Sequence, residues 1–488
     1  MIIAVTTFFQ SQTNYGQLLQ GYALQQVLMQ QGHYPYIVQY GFHEHKPSVL
    51  GIDYPSYSLN KLQSQVQITA DSGTKSNRHF DDFRRQHLNL SANFYNSLLE
   101  IQENPPLADC YITGSDQVWA QLLSREDNRI FFLDFGSSHH LRIAYAPSFS
   151  LESYPEELVP LLGQHLHRFD ALSVREKSGV GICRKAGYEA LCVVDPTMLL
   201  DGEYYRQLAK ESTTEMPTDY MLVYHVNIQR RDLPCWDSIS QYNQRQGLRA
   251  VAVHANSEGR TDSEFLEDAE YLYPCIQDWI RLIDGSRYVL TSSFHGMIFS
   301  ILLHKPFLVS LRPEFMFAGN DRIFTILQEL GLEDRIATSE VDMDKLMSQP
   351  INWSMVDQRV EHLRQQSLDF LKESLQKAEG RSQQEHREIM LQDVIDKGEK
   401  ISHRLHQLQT AFDDKEKQIE AESQQFGSLQ EKHQELQSTL RDMQSTNQNL
   451  QLSLQHMNHK NEKHLKQVRL LGWVAGILTL LLVLALLF

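Results

Sequence analysis

The chain has 488 residues and a formal net charge of −16 at neutral pH. That length is too great for one hydrophobic core and predicts about two or three domains with extensions. An acidic balance argues against a general nucleic-acid binder, because phosphate backbones require basic surfaces. Five cysteines (Cys110, Cys183, Cys192, Cys235 and Cys275) are scattered and lack the close pairing of a zinc site. They read as small hydrophobes of a reducing cytoplasm. The opening MIIAVTTFF has no basic segment ahead of its apolar run, so it predicts a first strand and not a signal peptide.

Residues 2–8 are strand-like. Thr13-Asn14-Tyr15-Gly16 then forms a turn, and Leu18, Leu19, Tyr22, Ala23, Val27 and Leu28 recur at helical spacing until Gly32. With a second strand over 36–40 this is a β-α-β unit, the mark of a parallel sheet with crossover helices. Gly16 lets the backbone approach a ligand, although the segment lacks the GxGxxG of a dinucleotide site. Asn14 either holds a substrate or only closes the turn. Residues 107–112 predict the next strand, ending in Gly114-Ser115-Asp116 before an expected helix. Ser115 or Asp116 caps that helix, or Asp116 faces a cleft as a base or as an acceptor for a sugar hydroxyl.

Further strands are expected over 142–148 and 171–176. The second ends in Ser173 with Arg175 beyond it. Arginine suits bidentate recognition of carboxylate or phosphate, and the alternative is a salt bridge to Glu176 or Asp170. Residues 191–194 lead into Asp195-Pro196-Thr197, where proline ends the strand near a domain boundary.

From Asp219 the pattern restarts, with strands expected over 220–226, 248–253, 288–291 and 307–310. The central stretch is YVLTSSFHGMIFSILLHKPF, a strand running into a helix with Ser292, Ser293 and His295 in the turn. Ligands of open α/β sheets bind outside the carboxyl ends of the strands, and helix N-termini attract anions. A histidine there can meet a phosphate or carboxylate and titrate near neutral pH. Alternatively Ser293 only caps the helix and His295 fills a polar turn. The expected architecture is α/β, with Rossmann-like domains over 1–205 and 206–375 facing a cleft. By analogy this is the build of two-domain GT-B glycosyltransferases.

Several runs together carry a family resemblance: TNYGQLLQGYALQQVLMQQGH, YITGSDQVW, FLDF with RIAYAPSF, SVREKSGVGICRKAGY with VVDPTMLL, and TSSFHGMIFSILLHKPF followed by NDRI. In that order, over roughly residues 1–335, the chain resembles the polysaccharide pyruvyl transferase family. The resemblance implies an enzyme that moves the pyruvyl group of phosphoenolpyruvate onto a sugar of a surface polysaccharide or its lipid-linked precursor, often as a ketal across two hydroxyls, releasing phosphate. It implies that Arg175 meets the anionic substrate and that His295 is the general acid or base. Ser292 and Ser293 would lie beside the phosphate, and Arg322 of NDRI among the substrate-binding residues. Asn14, Tyr15, Gly16, Ser115 and Asp116 would line the acceptor side. No metal or cofactor is expected beyond phosphoenolpyruvate as co-substrate, since no ligands cluster at metal spacing. Other readings are a nucleotide-sugar glycosyltransferase of similar shape and a non-catalytic coiled-coil scaffold.

Beyond Gln376 the composition shifts to Gln, Glu, Lys and His with almost no proline or glycine. Ile401, Leu405, Leu408, Phe412 and Ile419 open a heptad seam that continues to Met457. This predicts a coiled coil over 376–468, about 90 Å of helix from residue 401 onward, and a homo-oligomer. Residues 470–488 carry no charge and suffice to cross a hydrocarbon core of about 30 Å. Lys460, Lys463, Lys466 and Arg469 precede them, so a membrane anchor over 469–488 with the globular part in the cytoplasm is expected.

Overall fold

The computed structural model describes residues 1–41, 78–120, 126–137, 140–226, 235–254, 266, 269–311, 320–379, 435–449 and scattered positions between 402 and 473. Its strands are β1 (Ile2–Thr6), β2 (Tyr34–Tyr40), β3 (Leu90–Tyr95), β4 (Cys110–Thr113), β5 (Leu141–Ala144), β6 (Ala171–Val174) and β7 (Leu191–Cys192), then β8 (Tyr220–His225), β9 (Arg249–His254), β10 (Ala269–Tyr271), β11 (Tyr288–Thr291) and β12 (Phe307–Val309). They form a seven-stranded sheet of order β3-β2-β1-β4-β5-β6-β7 and a five-stranded sheet of order β10-β9-β8-β11-β12. Among the described residues every pairing is parallel: Ile3 sits opposite both Pro35 and Cys110, and Leu290 opposite both Val223 and Leu308. The expected α/β class is therefore observed.

Parallel strands covered on both faces need apolar side chains on both, which is why IIAVT, YMLVYH and YVLT read as near-continuous apolar runs. The helix Ile276–Gly285 buries Ile276, Trp279, Ile280, Leu282 and Ile283. Each such side chain contributes about 1.5–3 kcal/mol through lost apolar surface.

Strand order fixes where ligands can enter. In the first sheet the chain steps from β1 outward to β2 and β3, then returns to the other side of β1 as β4. In the second it steps from β8 to β9 and β10, then returns as β11. Each reversal opens a crevice at the carboxyl ends of the two central strands. After β1 and β4 come Asn14 to Gly16 and Gly114 to Asp116; after β11 come Ser292, Ser293 and His295.

Three local features differ from expectation. No helix starts at Gly114: residues 114–120 are bends and turns, with Asp116 left-handed at φ 67° and a cis Gly114–Ser115 peptide. Sequence patterning also misses β3 and β10. Both are edge strands: LSANFY leaves Ala92 and Phe94 exposed, and AEY is only three residues long and buries none of them fully. Finally, the 27-residue helix Trp353–Glu379 packs back on the first sheet's side of the molecule. Val194 N–H donates to Ser367 Oγ at 3.0 Å, Arg364 Nε to the Met198 carbonyl at 2.7 Å, and Phe370 lies 6.4 Å from the Tyr145 ring.

Residues 435–449 are helical. The rest of the expected coiled coil, scattered positions apart, and the expected anchor, apart from Trp473, lie outside the described residues. Among the described residues no helix is long and apolar enough to cross a membrane.

Candidate active site

The helix Tyr15–Gln30 follows β1 across the loop 7–14. Asn14 is its N-cap, accepting from Gln17 N–H at 3.3 Å, so the closing of the turn is what its side chain does here. Tyr15 is fully buried. Its ring stacks on Trp279 at 5.1 Å and meets Phe80 and Tyr224 edge-on, while its hydroxyl donates to the Pro274 carbonyl at 2.8 Å. Burial pushes the phenol pKa far above its usual value. Tyr15 thus wedges the two sheets' crevices together instead of offering a hydroxyl to an acceptor. Gly16, one residue on, lies against His295: a Cβ built there would stand 2.1 Å from His295 Nδ1. Only a bare backbone lets the two helix N-termini approach so closely.

Across the crevice, β11 ends in Thr291 and the helix Phe294–Leu302 follows at once. Ser293 is its N-cap, accepting from Gly296 N–H at 3.3 Å. Ser292 turns toward the end of β8, donating to the Val226 carbonyl at 3.2 Å and accepting from Val226 N–H at 2.8 Å. Neither serine hydroxyl is therefore directed to a phosphate in this arrangement. His295 is buried, and its Nε2 stands 3.5 Å from Asp195 Oδ2.

Asp195 is the residue sequence reading passed over. It follows β7 and is 0 % exposed. Oδ1 accepts from Thr197 N–H at 3.0 Å and from Thr197 Oγ1 at 2.7 Å. Oδ2 accepts from Ser115 Oγ at 2.9 Å and from Arg175 Nη1 at 2.6 Å. Burial alone would raise its pKa, but His295, Arg175 and the Thr197 N–H hold it well below the usual carboxylate range. Its signal in the sequence was available: a strand ending in small polar residues, as at Gly114 and Ser173.

Arg175, 1 % exposed, donates to Asp195, places Nη2 3.6 Å from Asp116 Oδ1, and lays its guanidinium 4.7 Å over the Phe294 ring. Its expected alternative partners, Glu176 and Asp170, are used elsewhere: Glu176 accepts from Phe149 N–H at 2.7 Å and Asp170 from Arg142 N–H at 2.8 Å. Arg322 places a second guanidinium 5.6 Å from the same ring and donates to Ser150 Oγ at 3.4 Å. Phe294, also absent from the sequence reading, is thus shared by two buried cations. Arg175 Nε and Nη2 and His295 Nε2 have no hydrogen-bond partner among the described residues.

The fold therefore gathers Gly16, Ser115, Asp116, Arg175, His295 and Arg322 with Asp195 and Phe294. It sends Asn14 and Ser293 to helix caps, Ser292 to a strand end and Tyr15 to an aromatic wedge. Two guanidinium groups and an imidazole, with Asp195 and Asp116 already facing Arg175, bring together at the meeting of two strand-order reversals the donor types that bind carboxylate or phosphate.

Comparison with solved structures finds distant likenesses. A UDP-GlcNAc 2-epimerase from Neisseria meningitidis, bound to UDP-GlcNAc, is 10% identical over 77% of this chain and 99% of that one, with a TM-score of 0.39. A UDP-N-acetylglucosamine 2-epimerase from Rickettsia bellii is 9% identical over 76% and 97%, at 0.37. The calicheamicin glycosyltransferase CalG4 is 12% identical over 78% and 98%, at 0.38. A search of curated proteins finds no match. A comparison with known families matches residues 14–310 to the one described as polysaccharide pyruvyl transferase. That span covers more than half of the chain and both crevices, and on it the chain belongs to the polysaccharide pyruvyl transferase family.

Proposed function

We propose that this protein transfers the pyruvyl group of phosphoenolpyruvate to hydroxyls of a sugar in a surface polysaccharide or its lipid-linked precursor. The observation that carries this reading is the pair of buried guanidinium groups, Arg175 and Arg322, over one face-sharing ring, with His295 beside them. Phosphoenolpyruvate presents a carboxylate and a phosphate, and two guanidinium groups match two anionic groups. A sugar hydroxyl attacks C2 while C3 gains a proton and becomes the methyl group. The C2–O bond to phosphate then breaks, and a second hydroxyl closes the ketal at C2. Of the two hydroxyl protons, one balances the methyl group and the other leaves with phosphate or solvent. His295 handles these transfers as general acid and base, a role that contributes about 10²–10⁴-fold in rate. The uncharged run over 470–488 would keep the enzyme beside a membrane-bound acceptor.

The test is phosphate release from phosphoenolpyruvate by the full-length chain, given a panel of glycan acceptors. His295→Gln should lower kcat by about 10²–10⁴-fold with the circular dichroism unchanged. Arg322→Ala should raise KM for phosphoenolpyruvate by about 10–100-fold, the worth of one charged hydrogen-bonding partner. Full activity in His295→Gln, or turnover of a nucleotide sugar in place of phosphoenolpyruvate, would overturn the reading.

A further inference from the structure

We propose that Asp195 is the positioning residue of this site, one carboxylate that fixes both the proton-handling imidazole and the anion-binding guanidinium. The inference rests on the pyruvyl-transfer reading and adds to it a residue that the reading does not require.

The geometry is asymmetric. Asp195 Oδ1 is fully engaged by Thr197, whose N–H and hydroxyl both donate to it. That pins the carboxylate plane to the short turn Pro196–Met198, of which Asp195 is the N-cap. Oδ2 is left to face the crevice, where it accepts from Ser115 Oγ and Arg175 Nη1 and stands 3.5 Å from His295 Nε2. Three different segments thus converge on one oxygen: the turn after β4, the end of β6, and the helix that follows β11. The last of these comes from the other sheet.

The two imidazole nitrogens are consequently unequal. Nε2 faces an anion and Nδ1 faces the bare backbone of Gly16. A ring nitrogen that faces a carboxylate carries the hydrogen, so Asp195 selects the Nε2–H tautomer and leaves the lone pair on Nδ1. When the ring takes up a second proton, the imidazolium forms beside Asp195 and is stabilised there. The 3.5 Å separation is an ion-pair distance, longer than a good hydrogen bond, and such contacts tighten in the substrate complex. Among the described residues, the other charged groups gathered around Asp195 and Phe294 include Arg175, Asp116, Arg322 and the buried Glu176, with both guanidinium groups against Phe294. Arg175 is the one Asp195 also holds. Neutralising the carboxylate should therefore weaken proton handling while leaving more of the guanidinium charge for the substrate.

Asp195→Asn tests this, because the amide oxygen can still accept from Thr197 or Arg175. The expected result in the full-length chain is a kcat lowered about 10²–10⁴-fold with KM for phosphoenolpyruvate unchanged or lower. A purely structural role would lower the melting temperature and scale activity with the folded fraction, without that split. A second readout needs no turnover: histidine-labelled NMR, with the His295 signals identified by their loss in His295→Gln. Wild type should show the Nε2–H tautomer, and Asp195→Asn should shift toward a mixture. Unchanged His295 signals, or wild-type kcat in Asp195→Asn, would overturn the proposal. If wild type releases no phosphate with any acceptor, the pyruvyl-transfer reading fails, and the NMR comparison still decides whether Asp195 holds His295.

Discussion

Gly16→Ala is the sharpest probe of how the two crevices meet. A Cβ at residue 16 would stand 2.1 Å from His295 Nδ1, 2.2 Å from Cγ and 2.6 Å from Cβ. Ordinary contact begins near 3.4 Å, so the ring must retreat by at least about 1.3 Å. Rotation about χ1 cannot supply this, because the histidine's own Cβ is among the atoms struck. The helices Tyr15–Gln30 and Phe294–Leu302 have to separate. Two energies compete: alanine in a helix is favoured over glycine by about 0.5–1 kcal/mol, and overpacking costs about 1–3 kcal/mol. The net change is then between nothing and a loss of about 2.5 kcal/mol. Activity should suffer far more, since a displacement of about 1 Å in a catalytic group costs on the order of 10²-fold. The assay pairs thermal melting with kcat for phosphate release. The melting is repeated in a His295→Gly background, where ring and Cβ are gone and the alanine should no longer destabilise. A coupling of about 1–3 kcal/mol between the two positions is expected. Wild-type kcat in Gly16→Ala, or an equal cost in both backgrounds, would refute the claimed contact.

Tyr15→Phe keeps the ring on Trp279 but leaves the buried Pro274 carbonyl without its donor, and should lower stability by about 1–3 kcal/mol in urea titrations. Burial against Phe132, opposed by Asp134, holds the His165 imidazole down at about 4 from its usual 6.5. The unfolded chain therefore binds the proton first, so stability from this residue is complete above pH 6.5 and is lost as pH falls toward 4. The loss approaches about 3 kcal/mol, and His165→Leu should flatten that part of the urea-midpoint profile.

Much of the fold could be read from patterning because of how parallel sheets are built. Central strands covered on both faces have to be apolar throughout, so β1, β8 and β11 stood out as runs. The edge strands β3 and β10 bury less and passed unnoticed. The helix expected after Gly114 failed for a local reason: Asp116 takes a left-handed conformation there, and the Ser115 hydroxyl is committed to Asp195. Within the site, Arg175 and His295 were legible as a cation and an imidazole at strand ends. Asp195 was not, because beside Pro196 it looked like punctuation, and its partners lie as far as 100 residues away along the chain.

What the sequence determined alone was the alternation of strands and helices, the family, and the residue types waiting at each strand's carboxyl end. Those follow from local periodicity and short motifs. Which of them face one another was decided by the tertiary structure. Strand order sets where each sheet reverses, and the Tyr15–Trp279 wedge and the Gly16–His295 contact bring the two reversals together. Serines that looked like phosphate ligands became caps and strand-end contacts, and a tyrosine became a wedge. The physical reason is that a side chain's partner is chosen by distance in space, and a pattern along the chain records only distance in sequence.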